Sequence, residues 1–381
     1  MKVLWVTGSF FPTNSGGMDT IMHWIALCLK KQNVDLTLLT SDEATDGKVE
    51  SNRWYQTNFG NIKYVPTRIH YLPIRLIMAA FRILPKHDNV HLCNIFYPSS
   101  IAVATLAVLW NKKVIWSVHG ELDPWAIKHR TYKKKPFLWF IDKFLKNHVV
   151  FHTTCEEEET YVKNIFGKKT QTLLLTNYIL LPKKEIVPRQ RYLLFVGRIH
   201  PKKGLDLLIK ALDKSDIFKN SDFILKIVGD YNNDHGRDLI VLTQQLNLKN
   251  KIHFLGKKEG TGKFRHFAES YFTIMPSITE NFGMVVVESM SQGTPVIAST
   301  GTPWKILEET KAGLLVVPQV KDLTISINHI LSLGEEDYSD YRKNAYALVC
   351  DKFDMEKNIQ DWVEAYQSVF QHPTNFKNSL K

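Results

Sequence analysis

The segment Pro276-Ser277-Ile278-Thr279-Glu280-Asn281-Phe282-Gly283-Met284-Val285-Val286-Val287-Glu288 sets two carboxylates eight residues apart around a glycine and an apolar run. The pattern reads as a strand ending near Met275, a polar turn, and a helix starting beyond Gly283. The first N–H groups of such a helix, around Gly283 to Val285, have no partners within it, and its dipole favours an anion there. A turn of this kind suits a diphosphate, and Gly283 lets the backbone approach it closely. Glu280 then lies beside the phosphate's substituent. Glu288, about one turn into the helix and directed back toward its start, is placed to accept ribose hydroxyls. Spacing alone fits two surface glutamates flanking a buried helix equally well.

A second loop, Val196-Gly197-Arg198-Ile199-His200-Pro201-Lys202-Lys203-Gly204, also follows a strand. Arg198 and Lys203 are two cations able to clamp a diphosphate and stabilise it as it leaves. A basic solvated turn is the plainer alternative. Near the start, Gly16-Gly17 precede a helix and can bring backbone close to a phosphate or sugar. His119-Gly120 follows another strand, where a histidine can contact sugar hydroxyls or serve structure. The chain has no DxD, HExxH or GxSxG, and His152 beside Cys155 lacks ligand spacing, so neither a metal site nor a cofactor is expected.

The elements that must position these residues recur along the chain. Lys2–Thr7, Asp35–Thr40, Ile62–Pro66, Val90–Asn94, Val114–Val118, Val149–Thr153 and Leu173–Thr176 read as strands alternating with helices. The segment Leu181–Pro188, with two prolines and mixed charge, reads as a linker. The pattern restarts with strands at Tyr192–Val196, Phe223–Val228, Lys251–Leu255, Tyr271–Met275, Pro295–Ala298 and Gly313–Val317. Near-continuous apolar strands between helices predict parallel sheets covered on both faces, hence two doubly wound α/β domains. The expected domains are 1–182 and 190–355. The terminal segment, about 356–381, carries an apolar helical face at Ile359, Trp362, Val363, Tyr366 and Phe370 that must bury somewhere.

With 381 residues, 44% apolar and 23% charged, the chain reads as globular and long enough for two cores. The opening Met1–Gly8 reads as a first strand, not a signal peptide. The four cysteines are far apart, which fits a reducing cytoplasm. Residues 1–184 hold 24 Lys/Arg against 14 Asp/Glu, and residues 185–381 hold 25 against 24, net charges of +10 and +1. The basic half is expected to meet an anionic partner. Glu156–Glu159 and Lys133–Lys135 read as solvated faces.

The order Gly16-Gly17, His119, Arg198, Lys203-Gly204, Glu280-Asn281-Phe282-Gly283 to Glu288, then Gly293-Thr294-Pro295, resembles the retaining glycosyltransferases of family four. The resemblance spans nearly the whole chain and implies the GT-B architecture, two Rossmann-like domains facing across a cleft. It implies that Arg198 and Lys203 bind the donor diphosphate and that Glu280 touches the donor sugar. Backbone at Phe282, Gly283, Met284 and Val285, with Asn281 beside it, would contact sugar and phosphate, and Glu288 would hold the ribose. Gly16 and Gly17 would lie against donor phosphate or acceptor, and His119 would face the sugar. No metal or other cofactor is implied, since the cations supply the charge. The last helix would return to the first domain. His119-Gly120-Glu121-Leu122-Asp123-Pro124-Trp125-Ala126, with Gly301-Thr302-Pro303-Trp304, looks like members that build bacterial surface polysaccharides.

The expected donor is a UDP-sugar first and GDP-mannose second, passing a hexose or HexNAc to a saccharide acceptor carried on a lipid. Leu72–Lys86, with Arg75 and Arg82 seven apart on one helix face, and Tyr132–Phe140 can dock on anionic headgroups at the cytoplasmic face of a membrane. Both fit equally well as helices packed on the sheet. Two alternatives stay open. A nucleotide-sugar epimerase would turn over donor alone, and a basic nucleic-acid binder would show a salt-dependent gel shift. The chain carries no RRM, KH or helix-turn-helix signature, so no nucleic-acid partner is expected.

Overall fold

The computed structural model describes residues 1–12, 17–43, 45, 47–69, 72–128 and 131–371. They fall into two compact units, Met1–Leu180 with Met355–Lys381, and Leu181–Asp354. None of the described helices is long and apolar enough to cross a membrane.

The first unit holds β1 (Lys2–Thr7), β2 (Asp35–Ser41), β3 (Trp54–Thr57), β4 (Gly60–Val65), β5 (Asn89–Cys93), β6 (Lys113–Ser117), β7 (Val149–Thr153) and β8 (Thr172–Leu174). Their order is β3-β4-β2-β1-β5-β6-β7-β8. All pair in parallel except β3, which is antiparallel to β4. Sequence reasoning passed over β3 because it is a short, half-exposed edge without an apolar run. β1, β2, β5, β6 and β7 are almost wholly buried, as helices on both faces require.

The second unit holds β9 (Tyr192–Val196), β10 (Ile224–Val228), β11 (Ile252–Phe254), β12 (Phe272–Met275), β13 (Val296–Ser299) and β14 (Gly313–Val316). The order β11-β10-β9-β12-β13-β14 is all parallel. Chain order reverses between β9 and β12, and the crevice beyond the carboxyl ends of such a pair is where this sheet type binds ligands. In the first unit the reversal lies between β1 and β5.

The helix Met355–Gln371 packs on the first unit, against the helix Gly17–Lys31 and β6. Residues 372–381 lie outside the described residues. Tyr366 and Trp362 are buried in that seam. Trp5 Nε1 donates to the Tyr366 hydroxyl at 2.8 Å, and that hydroxyl lies 2.7 Å from His91 Nδ1. His91 Nε2 lies 2.7 Å from Ser117 Oγ, which lies 2.7 Å from His152 Nδ1. His152 Nε2 lies 2.9 Å from the Leu175 carbonyl oxygen. An indole N–H only donates and a carbonyl only accepts, so every proton in this chain points from Trp5 toward Leu175. Both imidazoles are thereby fixed as neutral Nε2–H tautomers.

Glu156 and Glu157 of the acidic run are exposed as expected, but Glu158 is not. Glu158 is buried and accepts from the N–H and hydroxyl of Thr154, at 2.7 and 3.1 Å, and from the Gly120 N–H. It sits in the first turn of its helix, four residues after Thr154, and so can turn back onto the loops that precede it. Lys134, in the basic run, donates to the Ala126 carbonyl at 2.6 Å.

Candidate active site

In the second unit the two loops at the chain reversal carry the charged side chains. After β9 the chain passes Gly197 and Arg198, makes the turn Pro201–Lys203, and enters the helix Leu205–Lys214. After β12 it runs through Pro276 to Gly283 into the helix Met284–Met290. Gly204 has φ +65°, and a Cβ there would stand 2.2 Å from the Pro276 carbonyl oxygen. Only glycine lets these loops touch. The Ile278 N–H donates to the Lys202 carbonyl at 2.8 Å across the same seam.

The joined loops bring Lys203 and Glu280 together. Lys203 Nζ donates to Glu280 Oε1, which also accepts from Ser277 Oγ at 3.0 Å. The side chains keep 17% and 14% of their exposure, so the pair is sheltered yet reachable. The Glu280 N–H donates to the Gly301 carbonyl at 2.9 Å, which anchors the acid to the loop after β13. Arg198 stands exposed on the same loop as Lys203. Partial burial, then Arg198, the neighbouring His235, Lys202 and Lys203, hold His200 below the usual imidazole range, which marks this loop as electropositive.

The helix start is more committed than the sequence suggests. Gly283 has φ +79°, and a Cβ there would stand 2.8 Å from Met275 Cε. Phe282 is buried, with ring centroids 5.1 Å from Trp304 and 6.0 Å from Phe353. Its carbonyl accepts from Trp304 Nε1. That hydrogen bond ties one lone pair of the Phe282 carbonyl to the fold and leaves the N–H groups of the helix start untouched. Asn281, Met284 and Val285 are half-buried around the helix start.

Glu288 also has a partner. It is 7% exposed and accepts from Lys263 Nζ at 2.6 Å. Lys263 lies in the first half of the helix Gly260–Glu269, which packs beside Met284–Met290. Sequence reasoning missed Lys263 and Ser277. Nothing in the spacing links 263 to 288, because their pairing comes from two helices side by side. Ser277, three residues before Glu280 in one turn, was the more legible of the two.

In the first unit, Gly17 opens the helix Gly17–Lys31 and is exposed, whereas Gly16 lies outside the described residues. His119 and Gly120 follow β6 with φ +51° and +76°. A left-handed histidine is strained, and strain of this kind gathers at functional sites. His119 Nε2 is shut off from solvent and has no hydrogen-bond partner among the described residues. Burial, then His152 beside it, push His119 down to about 3, so it is neutral at physiological pH. Glu121 is enclosed by the loop after β5, accepting from the N–H groups of Ile95 and Phe96 and from Asn94 Nδ2. Burial pushes its carboxyl up, against those hydrogen bonds.

Residues 177–348 match the family described as glycosyl transferases group 1. Over 181 residues the chain is 29% identical to an uncharacterized glycosyltransferase of Methanocaldococcus jannaschii, covering 47% of this chain and 45% of that protein. Across this and other curated relatives the matches span 33% to 59% of the relative's own length. Sucrose-phosphate synthase from Thermosynechococcus elongatus superposes with a TM-score of 0.79 at 19% identity, over 97% of this chain and 100% of that one. Anabaena HepE, solved in complex with UDP and glucose, gives 0.78 at 19% identity with the same coverage. These likenesses establish the fold as GT-B, built from two Rossmann-like domains.

Proposed function

We propose, on the premise that residues 177–348 form a glycosyl transferases group 1 domain, that the protein is a retaining glycosyltransferase using a nucleotide-diphosphate sugar. The observation that carries this reading is the Lys203–Glu280 pair, with Arg198 on the same loop, at the β9/β12 reversal. Without donor, Glu280 neutralises Lys203. An arriving diphosphate gives Lys203 and Arg198 a stronger anionic partner and frees Glu280 to accept from sugar hydroxyls. The bond from the anomeric carbon to the diphosphate breaks with its electrons on phosphate, where the two cations stabilise the charge. The acceptor hydroxyl bonds to the same face of that carbon and passes its proton to the departing phosphate oxygen, so configuration is retained. We assign the leaving-group charge to these side chains and to no metal or other cofactor. Glu288 holds the ribose, and a donor-sugar hydroxyl is the partner we assign to His119 Nε2.

A UDP-sugar is the donor we place first, with GDP-mannose second. Support for the first comes from HepE, whose solved complex contains UDP. We further propose a saccharide acceptor carried on a lipid, within surface-polysaccharide assembly at the cytoplasmic face of a membrane. The test is thermal unfolding with UDP, GDP and their sugars. At about 100 times its Kd, a ligand that binds only the folded form adds about 2.7 kcal/mol, which is several degrees in Tm for units of this size. Loss of any shift with both nucleotides, together with no sugar transfer, would sink the reading. Turnover of donor without acceptor would replace it with an epimerase.

A further inference from the structure

Away from the candidate site, the first unit holds a cavity of about 510 Å³ between the edge strands β3 and β4 and the helix Ile74–Ile83. From the helix, Arg75, Met78 and Arg82 line it, at spacing i, i+3 and i+7 on one face. From the sheet, Trp54 and Lys63 line it as direct cross-strand partners, with Lys63 Nζ 5.9 Å from the Trp54 ring centroid. Three cations therefore converge on one hollow that no lining carboxylate neutralises. Among the described residues none of them forms an ion pair. The acids nearest along the chain are engaged elsewhere, Asp88 lying 4.0 Å from Lys112 Nζ. Asp42 accepts from Ser51 and from the Thr67 N–H, and Glu50 pairs with Arg53.

The helix and the residues that lead into it have a second property. Ile74, Met78 and Phe81 are each about half exposed, and Leu72 is 56% exposed. The inner face of the same helix buries Leu76 and Ala80. The helix thus has apolar residues on the side away from its core, and its only charges are Arg75 and Arg82. A protein facing only water gains nothing from that arrangement. A surface that is anionic at its boundary and apolar just below matches it: cations meet phosphates, apolar side chains enter the acyl boundary, and Trp54 sits at the junction.

We propose that this cavity is a discrete site for the phosphate of an anionic phospholipid headgroup and that the helix Ile74–Ile83 docks the protein on the bilayer there. The site deepens the membrane-face part of the function above and rests on it, but it does not depend on the transfer chemistry. Two guanidinium forks about one helical face distinguish a built phosphate site from diffuse attraction, because an arginine fork binds phosphate bidentately and a lysine does not.

The test is co-sedimentation of the full chain with phosphatidylcholine vesicles, with and without phosphatidylglycerol. Wild type should bind only the anionic vesicles, and less as salt rises. R75Q/R82Q should weaken binding about twenty-five-fold, at about fivefold per cation. K210Q/K214Q, which removes the same charge from the second unit, should change it less than twofold. R75K/R82K, which keeps the charge, should still lose several-fold. All these side chains lie on the surface, and thermal unfolding checks that each variant is folded. Equal binding by wild type and R75K/R82K, or equal losses from R75Q/R82Q and K210Q/K214Q, overturns the discrete site while leaving membrane association standing. Failure of wild type to bind anionic vesicles at low salt overturns both. Sugar transfer to a soluble acceptor, measured on the same variants, separates either failure from a failure of the transferase reading.

Discussion

Both units set a chain reversal at the carboxyl ends of a mostly or wholly parallel sheet, but they treat the polar groups near it in opposite ways. In the first, a connected set of polar side chains is buried and hydrogen-bonded within itself. Trp5, Tyr366, His91, Ser117 and His152 form a one-way line of neutral hydrogen bonds, and Glu121 and Glu158 are enclosed by backbone N–H groups. In the second, charges stand in pairs near solvent, Lys203 with Glu280 and Lys263 with Glu288, and Arg198 is exposed. A saturated network specifies a structure and has no valence left for a ligand. A sheltered ion pair can exchange partners with a ligand of like charge. Outside that line and those two acids, His119 Nε2, Ser99 Oγ, Thr170 Oγ1, Asn177 Oδ1 and Trp362 Nε1 are buried without a hydrogen-bond partner among the described residues.

The largest expected effect lies on the second unit's side of this contrast. Lys203→Ala and Glu280→Ala should each lower kcat/KM by about 10² to 10³, the loss typical of a removed charge-stabilising donor, with thermal unfolding nearly unchanged. The double variant should be no more than about tenfold worse than either single one, because groups that act as a unit are not additive. Near-normal turnover in both single variants breaks the comparison at its root.

On the first unit's side, Tyr366→Phe should cost stability and leave the chemistry alone. It leaves the Trp5 N–H and His91 Nδ1 buried without partners, at about 1–3 kcal/mol each. Urea unfolding should show a loss of about 3 kcal/mol, while sugar transfer by the folded fraction stays within about twofold. A loss below about 0.5 kcal/mol would mean that the line of hydrogen bonds is not what holds the terminal helix.

The same network predicts an acid-sensitive fold. Burial pushes His152 down to about 4, and burial, then His152 and His119, push His91 well below the imidazole range. In the unfolded chain both titrate near their ordinary value of about 6.5. Between the two values the unfolded state binds more protons, so stability is complete above about pH 6.5 and falls as pH drops toward 4. Each histidine contributes a slope of up to about 1.4 kcal/mol per pH unit there. Denaturant midpoints at pH 7, 6 and 5 measure it. His91→Gln should flatten the slope, and an unchanged slope would count against the neutral assignment.

The second unit was the more legible in sequence. Its strands are short apolar runs punctuated by glycines, and Arg198, Lys203 and Glu280 stand in loops directly after two of them. What pattern could not supply was partnership. Lys203 and Glu280 are 77 residues apart and meet only because β9 and β12 are neighbours across the reversal, a fact of sheet order. In the first unit the line of hydrogen bonds joins residues up to 361 apart, and His91 and His152 look like ordinary strand residues. Glu158 was misread because four consecutive glutamates resemble a solvated face, whereas helix geometry turns one of them inward. The strand β3 was missed because an exposed edge needs no apolar run.

The smallest expected effect sharpens the contrast most, because Glu288 sits between its two categories: buried like the first unit's acids, charge-paired like the second unit's. Glu288→Gln keeps an acceptor oxygen and removes the charge. If the acid holds ribose in ground state and transition state alike, donor KM should rise about fivefold while kcat stays within about twofold, the signature of uniform binding. Lys263→Met should give a milder rise, about twofold, with lower stability because Glu288 is left buried without its cation. The double variant should recover that stability and keep the Glu288→Gln KM. A roughly hundredfold slower turnover at saturating donor for Glu288→Gln would move this residue into the transition-state machinery beside Glu280. No change in KM for either variant would place the Lys263–Glu288 pair with the saturated, structural polar groups of the first unit.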